Sequence, residues 1–151
     1  MRKEPEMFTE IRETSIAVAD LDAAVAAFEA KLGLRPSSTN LDPRPPVESR
    51  AAMYRIGDSS LALMESTSSG GPIDRFVERR GEGLFSVSVA VDDLDEASAR
   101  MRENGVDLVL PEPMVFEDFP AVDRRYSRVR MNFTRPRSLH GVLLEIQELT
   151  P

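Results

Sequence analysis

With 151 residues, 41% of them apolar and 30% charged, the chain has the length and composition of one ordinary globular domain. A net charge of −7 argues against nucleic acid or an anionic membrane as partner, and the lack of cysteine excludes disulfides, thiolate catalysis and zinc–thiolate sites together. No run approaches the roughly 20 apolar residues of a membrane span, and no apolar stretch follows the MRKEPE start, so the expected location is the cytoplasm.

Residues 11–19 (IRETSIAVA) read as a strand, and Asp20 or Asp22 can cap the helix that follows. Val25, Phe28 and Leu32 are spaced for one buried helical face, and Gly33 ends it. Residues 35–47, with four prolines, read as an irregular loop with a broken edge strand. AAMYRI at 51–56, a Gly57-Asp58 turn and SLALME at 60–65 predict a hairpin, followed by a linker at 68–72 and a short helix over 73–80. The second half opens at Gly81 and Gly83. It predicts a strand over 84–91, a helix from Leu94 to Asn104 and a strand over 106–110. Residues 111–122 read as a long apolar-acidic loop where a lid or pocket wall would sit. An alternating strand over 125–134, the turn RPRSLHG and a final strand VLLEIQEL complete the chain. Each half therefore runs β-α-β-β-β.

The two halves are copies. Residue 15 meets residue 88 and residue 33 meets residue 106, a constant offset of 73 at which Ser15, Ala17, Val18, Asp20, Leu21, Asp22, Ala24 and Ala26 find identical partners. Two copies are too few for a solenoid, so two modules packed into one domain are expected.

SIAVADLDAAVAAFEAKLGL at 15–34, GPIDRFVERRGEGL at 71–84, VDDLDEASARMRENGVDLV at 91–109 and PRSLHGVLLEI at 136–146 resemble the vicinal oxygen chelate superfamily of glyoxalase, bleomycin-resistance and extradiol dioxygenase relatives. Within it the pattern is most similar to methylmalonyl-CoA epimerases. The resemblance implies an α+β fold: a single domain over 1–151 made of two βαβββ modules, 11–82 and 83–149, whose half-barrels share a cavity. It also implies a homodimer, and a divalent metal held from the first and fourth strands of each module. Those four positions fall on Glu13, Ala62, Ser86 and Glu145. Only Glu145 keeps the family residue, Ala62 has no donor atom, and a neutral serine is a poor ligand. A catalytic metal needs about three imidazole or carboxylate donors, so no metal and no other cofactor are expected. The single histidine, His140, reads as a turn residue.

In half-barrels of that kind, strand alternation would aim Glu13, Ala62, Met64, Ser86, Ser88 and Glu145 at the cavity. Two carboxylates in a largely apolar pocket can divide into a proton acceptor and a donor, which makes Glu145 and Glu13 the catalytic candidates. Ala62, Met64, Ser86 and Ser88 are the candidate substrate contacts. Arg128 and Arg130 are candidates to hold anionic charge, and the arginines of 124–137 are equally compatible with a solvated strand face. The first functional expectation is a metal-independent isomerase, epimerase or lyase acting on a carboxylated or thioester small molecule. The alternatives are a protein that sequesters a hydrophobic ligand such as an antibiotic, and a weak all-oxygen metal enzyme using Glu13 and Glu145.

Overall fold

The computed structural model describes residues 6–43 and 47–151. Through them run β1 (Phe8–Ala17), α1 (Leu21–Leu32), β2 (Ser38–Asn40), β3 (Ser49–Ile56), β4 (Ser59–Ser66), α2 (Pro72–Arg80), β5 (Gly83–Val91), α3 (Leu94–Glu103), β6 (Met114–Pro120), β7 (Arg125–Phe133), a 3₁₀ turn (Pro136–Ser138) and β8 (Leu144–Thr150). This is the α+β class expected from the sequence. The chain forms two compact units, Glu13–Phe85 and, in two pieces, Met1–Arg12 with Ser86–Pro151.

Each unit has the same internal wiring. In the first the strand order is β2-β3-β4-β1, with β1 parallel to β4 and the other pairs antiparallel. In the second it is β6-β7-β8-β5, with β5 parallel to β8. A parallel first and last strand needs a crossover, and α1 or α3 supplies it. α1 covers one face of its sheet through Val25 and Phe28 on Leu21, Ala52, Tyr54 and Leu63. In the second unit α3 likewise covers one face of its own strands, through Leu94, Ala97 and Met101 on Val89, Val91 and Ile146.

The duplicated Asp-Leu-Asp turn does the same three jobs in both units. Asp20 and Asp93 accept from the backbone N–H groups of Ala23 and Glu96, capping the helices. Leu21 and Leu94 are fully buried anchors. Asp22 and Asp95 are each joined to a strand glutamate by a strand arginine. Arg50 bridges Asp22 at 3.3 Å and Glu65 at 3.0 Å, and Arg130 bridges Asp95 at 2.8 Å and Glu148 at 3.3 Å. Helix start and two adjacent strands are thus tied by one guanidinium in each copy, the geometry that suits a planar five-donor group.

Several predicted elements change once packing is considered. Leu32 is exposed rather than part of the α1 core. Gly33, with φ 68°, turns the chain back so that Leu34 N–H donates to the Phe28 carbonyl and Leu34 joins the cluster instead. Residues 44–46 of the predicted loop lie outside the described residues. Residues 106–110 form one bridge, Leu108 with Thr134, in place of a strand. Val109 N–H donates to the Phe133 carbonyl and Arg135 N–H to the Asp107 carbonyl, and one residue further on the side chain of Asn132 takes over from the backbone, accepting from Leu110 N–H and donating to the Leu110 carbonyl. The predicted loop at 111–122 holds β6, the partner of β7. Asp118, at φ 52°, breaks its alternation and brings Phe116 and Phe119 onto one side with ring centroids 5.5 Å apart.

Candidate functional site

In each unit the helix after the first strand covers one sheet face, α1 in one and α3 in the other. Register decides which candidates stand on the opposite face. In the unit Glu13–Phe85, Glu13 lies opposite Ser60, Ser15 opposite Ala62 and Ala17 opposite Met64, while Ile16 and Leu63 point toward α1. Glu13, Ala62 and Met64 therefore share one face. Glu13 is half-buried and Ala62 fully buried.

In the other unit Ser88 lies beside Glu145, and Phe133 lies beside it on the far side. Ser86, two residues before Ser88, belongs to the same face. Ser88 is 1% exposed and Ser86 8%. The Glu145 side chain keeps some accessible surface, yet its carboxyl sits deep enough that burial pushes its pKa above the ordinary 4.5. A hydrogen bond from Gln147 Nε2 to Glu145 Oε1 works in the opposite direction and does not cancel the effect of burial. Sequence reading passed over Gln147. Its signal was the two-residue spacing, which puts it on the Glu145 face of the same strand.

Arg130 stands on the opposite face. It is in register with Glu148 and is held by Glu148 and Asp95 beside α3, which takes it away from Glu145. Arg128 is exposed and lies 3.6 Å from Glu117 across the β6–β7 pair. His140 occupies the turn before β8 at φ 50°.

Beyond Glu145 the same face turns apolar and aromatic. Val129, Met131, Phe133 and Leu149 gather with Met114, Phe116, Phe119 and Tyr126. A polar latch closes this end. Arg12 donates to both oxygens of Asp123 at 3.0 and 3.1 Å, and the Tyr126 hydroxyl donates to Asp123 at 2.6 Å. Arg12 and Arg124 each sit 5.5 Å from the centroid of the Tyr126 ring. Nearby, Thr9 Oγ1 donates to the Ala90 carbonyl, so the start of β1 lies against β5. Arg12 reaches from β1 to the β6–β7 turn. Burial alone would raise the Asp123 pKa. The bonds from Arg12 and Tyr126 outweigh it and hold the carboxyl down to about 2.

The family metal does not fit these residues. The Ala62 position offers no donor, Glu145 is bonded to Gln147, and no group of three or more His, Cys, Asp or Glu among the described residues could hold a metal ion. Elemental analysis of the purified protein is expected to find well below one Zn, Fe, Co, Ni or Mn per chain. A stoichiometric metal would overturn this reading of the donor set.

No helix among the described residues is long and apolar enough to cross a membrane. The chain is 26% identical over 97 residues to the uncharacterized YqjC of Bacillus subtilis strain 168, a match covering 64% of this chain and 63% of that protein. It is 23% identical over 145 residues to the ethylmalonyl-CoA/methylmalonyl-CoA epimerase of Cereibacter sphaeroides, covering 95% of this chain and 100% of that one. Among solved structures it is similar to methylmalonyl-CoA epimerase from Mycobacterium tuberculosis, with a TM-score of 0.80 and 26% identity over 99% of this chain and 94% of that one. The model of the glyoxalase/bleomycin resistance protein/dioxygenase superfamily matches residues 13–121, and the chain belongs to that superfamily.

Proposed function

We propose that the chain is a metal-independent acid–base enzyme of the isomerase or epimerase type, acting on the α-carbon of a small carboxylated thioester, with Glu145 as a proton carrier. One observation carries the reading. A carboxyl is desolvated on the sheet face opposite α3, with an amide on one of its oxygens and a buried serine hydroxyl beside it in register. Desolvation makes a carboxylate a stronger base near neutral pH. In the proposed step the α-C–H bond breaks, its electron pair moves into the enolate, and the proton goes to Glu145. Charge then accumulates on the thioester oxygen, and Ser88 is the neighbouring donor suited to meet it. Return of the proton to the same side gives exchange. Inversion needs a second proton carrier on the opposite side of the α-carbon. Similarity to methylmalonyl-CoA epimerases supports the substrate class, and the family likeness supports a homodimer as the working unit.

The test is solvent exchange. Protein incubated with methylmalonyl-CoA in D₂O is expected to place deuterium at the α-carbon well above the protein-free rate, and mass spectrometry reads it directly. The apolar cluster around Phe116 and Tyr126 favours ligand sequestration as the second reading. Tight binding of a hydrophobic ligand with no exchange would select it.

A further inference from the structure

We propose that Gln147 is a positioning residue for Glu145, its amide fixing which carboxyl oxygen faces the ligand, an inference that rests on the proton-transfer reading above. Both residues lie on β8, two apart, so their side chains rise from the same face of one strand. Gln147 is flanked in register by Ala90 and Met131, neither of which offers a hydrogen-bonding side chain. Its Nε2 donates to Glu145 Oε1, which leaves Oε2 as the oxygen that can take or give a proton. Glu145 is flanked by Ser88 and Phe133, so no neighbouring side chain in register carries a charge. Burial and the Gln147 amide are the influences acting on its carboxyl. A buried carboxyl without an orienting partner would rotate between rotamers, and small misplacements of a reacting group are costly in rate. The amide is therefore the local device that preorganises this group.

Gln147→Met removes the donor at nearly the same size, and Gln147→Glu keeps a polar side chain should the apolar variant fold poorly. With methylmalonyl-CoA as probe, Gln147→Met is expected to lower kcat for exchange by roughly 10- to 100-fold, with KM little changed. The acid limb of the pH–rate profile should move to higher pH, because a bond that favours the ionised form is gone. A fall in melting temperature with kcat per folded molecule and pH profile unmoved would overturn the inference. A readout without substrate separates the two proposals. In protein carrying ¹³C-carboxyl glutamate, the resonance that Glu145→Gln removes identifies Glu145, and its titration midpoint should rise in Gln147→Met. If wild-type protein shows no exchange but that midpoint rises, the reaction is wrong and the positioning stands. If exchange is present and neither midpoint nor kcat responds, the positioning is wrong and the reaction stands.

Discussion

Glu145→Gln is expected to cut α-proton exchange by ~10²–10⁴-fold, the usual cost of removing a positioned proton carrier, while leaving the protein folded. Gln keeps the size of the side chain and an oxygen for the Gln147 amide, but it cannot accept a proton. Stability should move the other way. The folded pKa of Glu145 lies above its ordinary 4.5, so below that value the carboxyl is protonated in folded and unfolded chains alike. As pH rises through the folded pKa, the unfolded chain gives up its proton more readily and the wild type loses stability. Gln escapes that loss. Its melting temperature should exceed the wild type's at pH 7, and the difference should close as pH falls below about 4.5. Unchanged exchange in a stable Glu145→Gln protein would remove the main catalytic candidate.

Asp123→Asn carries the largest expected effect on stability. Arg12 and Asp123 are only 14% and 15% exposed in their side chains, so removing the negative charge takes from a largely buried guanidinium the carboxylate that binds it through both oxygens and leaves it the more exposed Glu10 at 3.3 Å. Breaking a buried pair from one side costs about 3–5 kcal/mol, and the residual exposure here brings the expectation to about 2–4 kcal/mol. For a chain of this length that lowers the melting temperature by roughly 5–15 °C. The pH dependence checks the cause. Asp123 titrates near 2 in the folded chain against an ordinary 3.8, so its contribution is present above 3.8 and is lost as pH falls through about 2. Urea midpoints of wild type and Asp123→Asn should differ most at pH 5 to 7 and converge toward pH 2. A gap that persists at pH 2 would mean the loss came from packing rather than from the charge.

What the chain alone determined is what local chemistry writes into short segments. The Asp-Leu-Asp turn declares a cap, a buried anchor and a helix start in consecutive positions, and it does so twice, so both helices and the duplication were legible. The Gly57-Asp58 hairpin was legible for the same reason, since turn and strand alternation lie within one short stretch. That Ala62 offers no donor atom and Ser86 only a neutral hydroxyl needed nothing beyond residue identity. What tertiary structure decided depends on partners far away in the sequence. The surroundings of Arg130 come from Asp95 and Glu148, which hold its guanidinium beside α3. β6 was hidden because Asp118 interrupts its alternation and because its ladder partner, β7, comes later in the chain. The supposed strand at 106–110 shrinks to one bridge that the side chain of Asn132 ends at Leu110, an ending that no periodicity signals. The Arg12–Asp123 latch joins residues 111 positions apart. Glutamates look alike in a sequence, and only burial and a neighbour's hydrogen bond distinguish Glu145 from the exposed ones, because desolvation belongs to the folded surroundings of a residue and not to the residue itself.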